Sequence, residues 1–268
     1  MNTATKPMNT SDSYVFPSNE PRTSAQGVEM WRNFLVFSSI VEEEGIVWGS
    51  CKYDQNAFQD NLYDIAGVQR FSRFSRAVTK RKAEYLAGRH VAQQSLYKLD
   101  GSLCDIPIGV NRAPVWPSHC LGSISHTSDI AVCAVTNQQD NVYLGLDVEM
   151  TLSKQSRQDI ESLITFDSEI THFQSAFENR EALVTFIFSA KESLFKALYP
   201  FVNVYFDFLD AEIISVDNEQ FEIRLVNSIN ATYKKGMTFK GHYAQSQEKI
   251  TTVITNKKIS LKTFCATF

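Results

Sequence analysis

Tyr143-Leu144-Gly145-Leu146-Asp147-Val148-Glu149 is the stretch around which the chain is organised. Its apolar residues and its glycine predict a buried strand. Asp147 and Glu149 stand two residues apart, and in a strand residues i and i+2 share a face. Two carboxylates then converge on one spot, and like charges that close need a proton or a cation between them. An all-oxygen pair suits Mg2+, which takes one or two carboxylates and completes its shell with water and substrate phosphates. The same spacing fits a strand end carrying two solvated acids. The pair alone leaves both readings open.

The 268 residues are enough for a full core, as one large domain or two smaller ones. A net charge of -4 gives no global basic field for nucleic acid or anionic lipid, so an anionic ligand needs a local cluster of cations. Cys51, Cys104, Cys120, Cys133 and Cys265 are far apart, odd in number and form no C-x-x-C, which argues against a disulfide framework or a zinc site. The polar, proline-containing start has no basic region leading into an apolar one, and no apolar run approaches the ~18 residues of a membrane span. A cytoplasmic location is the expectation.

Outward from the acidic strand, the chain reads as follows. Residues 1–30 are expected to be flexible. Trp31 to Phe37 and Gly45 to Gly49 read as strands. A basic helix runs from about Thr79 to Lys98 with Arg81, Tyr85 and Arg89 on one side. Gly88 inside it marks a close-packing point or a place where a ligand meets the backbone. Pro114 and Pro117 fix an extended course that presents Arg112 and Trp116. Ser125 and His126 precede the apolar strand Ile130–Val135; as strand neighbours they face opposite ways, so they are no hydrolase pair. They read either as ligands for an anion or as structural groups. Gln138 to Asn141 is a turn.

After the acidic strand, Ser153 to Arg180 is polar and helical, with Glu169 near a helix start, where a carboxylate favours the dipole. Glu181 to Tyr199 is the strongest helix, stopped by Pro200. In it, Glu192 and Lys196 read as an exposed i, i+4 salt pair, whereas Lys191 and Glu192 sit midway along an apolar stretch. Four strands close the chain: 211–216, 221–226, 238–244 and 250–256.

Four segments in fixed order, K-R-K-A-E-Y-L-A-G-R (80–89), N-R-A-P-V-W-P with G-S-I-S-H (111–126), G-L-D-V-E (145–149) and F-S-A-K-E-S-L-F-K-A (188–197), resemble the 4'-phosphopantetheinyl transferases, the type that serves siderophore synthesis in particular. The resemblance covers about residues 70–200. It implies an α/β fold of two similar halves, with the active site in the cleft between them. The halves are expected at 31–140, on the 3'-phosphoadenosine side, and 141–268, with the carboxylates and the catalytic helix.

It also implies a reaction: the phosphopantetheine arm of coenzyme A moves to a serine of an apo aryl, peptidyl or acyl carrier protein, and 3',5'-ADP leaves. By resemblance, Asp147, Glu149 and Glu192 are the Mg2+ ligands. Lys191 lies near the transferred phosphate, and Glu169 is the base for the incoming serine. Arg81, Arg89, Arg112, Ser125 and His126 hold coenzyme A. Phe74, Tyr85 and Trp116 are candidate contacts for the carrier. A monomer is implied, with no nucleic-acid partner and no transmembrane segment, but with peripheral membrane association of a synthetase assembly in view. Two other classes remain: a Mg2+-dependent phosphohydrolase, which leaves the S-H and G-R segments idle, and a non-catalytic coenzyme A-binding module, which has no need of all three carboxylates.

Overall fold

A computed structural model describes residues 24–71, 76–138, 143–246 and 248–268. The chain enters through a helix, α1 (Ala25–Phe34), where Ser24 accepts a hydrogen bond from the Gly27 N–H at 3.2 Å. Residues 25–30 of the expected flexible segment are therefore helical, while residues 1–23 lie outside the described residues. The strand expected from Trp31 begins only at Leu35. Trp31 and Phe34, at i and i+3, bury one face of α1, and the N-cap decides in favour of helix over the β-propensity of the aromatic residues.

β1 (Leu35–Glu43) and β2 (Ile46–Tyr53) form a hairpin turned by Glu44 and Gly45, with φ of 53° and 71°. Both turn residues are left-handed, as a two-residue hairpin loop requires. After the short helix α2 (Leu62–Ala66) comes α3 (Thr79–Asp100), then β3 (Cys120–His126) and β4 (Ile130–Asn137). The four strands pair antiparallel in the order β1-β2-β4-β3. Alternate residues of β4 serve two cores: Ala131, Cys133 and Val135 join the cluster under α3, and Ile130, Val132 and Ala134 join one that faces the second half. Burial on both faces explains why this strand is apolar throughout. Gly88 is a packing point: a Cβ there would lie 3.1 Å from Ile124 of β3.

The second half is β5 (Leu144–Met150), the helices α4 (Lys154–Ile164), α5 (Asp167–Phe173) and α6 (Arg180–Val202), then β6 (Ala211–Asp217), β7 (Gln220–Leu225), β8 (Thr238–Gln245) and β9 (Lys249–Thr255). The four closing strands agree with the sequence reading to within a residue. The acidic strand β5 joins them at the edge, in the order β5-β9-β8-β7-β6. The region 153–180 divides into two helices at Thr165 and Phe166, which are extended. Pro200 does not stop α6. It occupies the last turn, and Asn203, with φ of 50°, ends the helix by donating its N–H to the Tyr199 carbonyl at 2.9 Å. A last helix, α7 (Leu261–Cys265), sets Phe264 against Trp48 with ring centroids 5.3 Å apart, and so helps join the halves.

Gly145 determines how α6 sits on β5. A Cβ there would lie 2.0 Å from the Ser193 carbonyl oxygen and 2.6 Å from the Ala197 nitrogen. Both are backbone atoms, so they move only with the helix. Gly145→Ala is expected to lift α6 from β5 and to destabilise the protein by about 1–3 kcal/mol, a typical overpacking penalty. Urea unfolding measures this, and an unchanged midpoint would show that α6 does not depend on this contact.

His90 lies in the first core against the Trp31 ring, with centroids 4.8 Å apart and no hydrogen-bond partner for Nδ1. Burial holds its pKa down, to about 4. Between the ordinary value near 6.5 and about 4, the unfolded chain binds a proton that the folded chain refuses. Stability therefore falls with pH through this window, by on the order of 3 kcal/mol for this group at ~1.36 kcal/mol per pH unit. His126 is held down, also to about 4, mainly by burial, and adds a second such proton. His90→Gln is expected to remove about half of the slope of unfolding free energy against pH below 6.5. An unaltered slope would mean that His90 is protonated in the folded protein.

Candidate functional site

Period-two alternation in β5 turns Leu144, Leu146 and Val148 to the inter-half core and puts Gly145, Asp147 and Glu149 on the other face. Gly145 brings α6 close, and α6 adds Glu192 and Lys196. Asp147 is 1% exposed. Its Oδ1 accepts hydrogen bonds from Lys196 Nζ at 2.5 Å and from Ser125 Oγ at 2.7 Å, while its Oδ2 is buried without a partner. Ser125 comes from β3, so the cluster bridges the halves. The β3–β5 junction is stitched beside it by Ser123, which accepts from the Leu146 N–H at 2.9 Å and donates to the Leu146 carbonyl at 3.2 Å.

The electrostatics follow from three carboxylates and one ammonium in a half-buried space. Burial, then the charge of Asp147, raise the Glu149 pKa to about 8, with Glu192 adding to the effect and Lys196 opposing it. Burial and Asp147 likewise lift Glu192 above the ordinary carboxylate range, again against Lys196. Burial presses Lys196 down, but Asp147, Glu192 and Glu149 together outweigh it and hold the ammonium above its usual range. Lys196 is thus the cation of the cluster, a role its i, i+4 spacing from Glu192 had disguised as a surface pair. Ser189 and Ser193 anchor this part of α6. Their hydroxyls lie 2.9 and 2.7 Å from Thr252 Oγ1, and Thr252 pairs with Asp147 across β5 and β9.

The structure does not bring Lys191 and Glu169 to this cluster. They pair with each other, Nζ to Oε2 at 2.9 Å, with side chains 2% and 0% exposed. Lys191 also donates to the Ile164 carbonyl at 2.8 Å and lies 5.0 Å from the centroid of the Phe166 ring. Glu169 accepts from the backbone N–H groups of Ile213 at 2.7 Å and Phe166 at 2.8 Å. All these partners belong to the α4–α5 junction and β6. Glu169 is the helix-start carboxylate that its position suggests, with a buried ion pair added.

On the other wall, Arg81 Nη1 lies 3.1 Å from His126 Nε2 and donates to Glu84 Oε2 at 3.1 Å. Ser125 and His126 face opposite ways as strand neighbours must, one to Asp147 and one to Arg81. Arg89 is buried, its guanidinium carbon 4.9 Å from the Tyr85 ring centroid and its Nε without a partner. Burial lowers its pKa.

Arg112 is exposed at the tip of a small hairpin, where it and Asn111 are left-handed, with φ of 64° and 54°. The course is folded back rather than extended, because Ile108 and Pro114 bridge and Gly109 N–H donates to the Ala113 carbonyl at 2.8 Å. Asn111 docks the hairpin on α6 by donating to Tyr199 Oη at 2.8 Å. Between this hairpin, β3 and the end of α6 lies a cavity of about 390 Å³, with Trp116, Gly122, Leu144, Ala197 and Tyr199 in its wall. The Trp116 indole N–H is buried there without a partner. Of the candidate carrier contacts, Tyr85 is core and Trp116 packs on Gly122, while Phe74 lies outside the described residues.

Comparison with known proteins agrees with this two-part architecture. Residues 70–136 match the 4'-phosphopantetheinyl transferase N-terminal domain, and residues 143–253 match the 4'-phosphopantetheinyl transferase superfamily. Enterobactin synthase component D of Escherichia coli (strain K12) is 33% identical over 170 residues, covering 63% of this chain and 79% of the relative. Its counterpart in Salmonella typhimurium is 27% identical over 203 residues, covering 75% and 82%. The 4'-phosphopantetheinyl transferase Svp of Streptomyces mobaraensis is 29% identical over 178 residues, covering 64% and 72%.

The chain belongs to the 4'-phosphopantetheinyl transferase family. It is an enzyme that transfers the phosphopantetheinyl group to carrier proteins, and within the family it is similar to the enterobactin synthase component D type. Among the described residues, no helix is long and apolar enough to cross a membrane.

Proposed function

We propose that the chain moves the 4'-phosphopantetheine arm of coenzyme A to a serine of apo aryl or peptidyl carrier domains in a nonribosomal siderophore synthetase, with Mg2+, releasing 3',5'-ADP. One observation carries the reading. Asp147, Glu149 and Glu192 crowd a space with Lys196 as its ammonium, one buried Asp147 oxygen has no partner, and Glu149 is pushed towards neutrality. An all-oxygen donor set with excess negative charge fits a small hard cation. Asp147, Glu149 and Glu192 would hold Mg2+, which supplies charge neutralisation at the pyrophosphate oxygens.

The chain's own groups account for the rest. Lys196 faces the leaving phosphate and offsets charge developing there. Arg81 supplies charge to the 3'-phosphate end. His126, kept neutral by burial, supplies a hydrogen bond there rather than a second charge. The cavity beside Trp116, between the two halves, takes part of the coenzyme. Glu192, on the α6 face that looks into the cluster, accepts the serine proton as the bond from serine oxygen to phosphorus forms and the bond to 3',5'-ADP breaks. Glu169 is assigned no part in this, since its oxygens already receive three donors.

Intact-mass spectrometry of an apo aryl carrier domain incubated with the protein, coenzyme A and Mg2+ tests the reading. The expected result is a gain of one phosphopantetheine arm, abolished by EDTA and by Glu192→Ala. Coenzyme A binding without a mass gain on several carriers would favour a binding module. No binding at all would reopen a phosphohydrolase.

A further inference from the structure

The widely spaced cysteines argue against a zinc site in the sequence, but folding changes their neighbours. Asp100, His119 and Cys120 offer ligand atoms that all lie within 4.8 Å of one another, at the C-terminal end of α3. Two separate segments meet there. Asp100 is the last residue of α3, and the left-handed Gly101 turns the chain just beyond it. Its Oδ1 is held by the Ser102 N–H at 2.8 Å, which aims Oδ2 at His119 Nε2, 2.5 Å away.

His119 and Cys120 are neighbours, and on a regular strand they would diverge. They converge because the Cys120 N–H donates to the Pro117 carbonyl at 2.9 Å, closing a turn in which His119 is the third residue and Cys120 the fourth.

We propose that Asp100, His119 and Cys120, with water completing the shell, form a binding site for a borderline divalent cation of the zinc class, separate from the Mg2+ carboxylates. The donor set decides the class. Thiolate and imidazole beside one carboxylate are a zinc-type set, whereas Mg2+ takes oxygen alone. The Ser102 N–H is the outer contact that orients the carboxylate. On binding, the Cys120 thiol proton goes to solvent, and His119 ligates through Nε2 as a neutral imidazole with its one proton on Nδ1. A dipositive ion with one carboxylate and one thiolate is then neutral in a partly buried place. Cys120 also lines the cavity of about 390 Å³, so occupancy fixes the rim of that cavity and ties the end of α3 to the start of β3.

Cobalt(II) is the probe, titrated into the full-length protein with a non-thiol reductant and excess Mg2+ to fill the carboxylate site. The expected result is one equivalent bound with a sulfur-to-cobalt charge-transfer band. His119→Ala, at a largely exposed side chain, should weaken binding about tenfold or more, and Cys120→Ser should abolish the band. Asp147→Asn should leave both unchanged. In the unmodified protein, Zn2+ should protect Cys120 from alkylation, read by peptide mass spectrometry. Absence of a thiolate band, a band that survives Cys120→Ser, or an unprotected Cys120 at saturating Zn2+ would each overturn the proposal.

Discussion

Lys196→Met is expected to lower kcat about 10²–10³-fold, the effect of removing a group that stabilises charge in the transition state. Lys196 is the cation that touches Asp147, at 2.5 Å, and its side chain is a quarter exposed, so it is open to the cleft. Its loss also leaves the three carboxylates without their ammonium. The apparent Mg2+ requirement should change with it, as the site holds one more uncompensated negative charge. Steady-state rates at saturating coenzyme A and carrier, over a range of Mg2+, measure both effects. Lys196→Arg keeps the charge but not the compact shape, and is expected to recover only part of kcat. A kcat within a few-fold of the unmodified enzyme would remove Lys196 from the chemistry and leave it a structural partner of Asp147.

The contrast between Lys196 and Lys191 marks the boundary of what the sequence discloses. Asp147 and Glu149 are legible because a strand has a period of two and both lie on the face that carries Gly145. Ser125 and His126 are legible for the same reason, as divergent neighbours. Lys196 is not, because an i, i+4 pair with Glu192 looks like any solvated helix pair. What brings it to the carboxylates is α6 crossing β5 at Gly145, a contact between segments about fifty residues apart in the chain. Gly145 was the available signal: a glycine inside an apolar strand marks close approach of another backbone.

Lys191 attracts attention for a sound reason, a charge inside an apolar helix. Its reason for being there is Glu169, 22 residues earlier, which no local pattern reveals. Arg89 lies beneath the surface for a related reason: α3 packs against its sheet around Gly88, and the side chain that follows is covered. Trp31 shows the converse, where one serine cap outweighs a run of β-forming residues. Asp100, His119 and Cys120 follow the same rule as Lys196: tertiary contacts bring together side chains that have no common motif.

The Lys191–Glu169 pair yields the other large effect, on stability rather than turnover. Burial lifts Glu169 above the ordinary carboxylate range and presses Lys191 below the ammonium range, while each partner opposes the other's shift. Lys191→Met strands the buried carboxylate, and Glu169→Ala strands the buried ammonium. Breaking such a pair from one side costs about 3–5 kcal/mol, because an uncompensated charge remains in the interior. At roughly 2–4 °C per kcal/mol for a chain of this size, Tm should fall by about 10 °C.

The double change Lys191→Met with Glu169→Gln removes both charges. Its amide oxygen can serve only one of the Ile213 and Phe166 N–H groups, which bond to different oxygens of Glu169, so it is expected to recover part of the loss. Assayed well below Tm, Lys191→Met should keep kcat within a few-fold, since Lys191 Nζ is bonded to Ile164 and Glu169 and its side chain is 2% exposed. The opposite pattern, kcat down about 10²-fold with Tm unmoved, would mean that Lys191 leaves Glu169 when coenzyme A binds and neutralises charge at the phosphate. One thermal melt and one rate for each lysine variant therefore separate the lysine that holds α6 in place from the lysine that faces the chemistry.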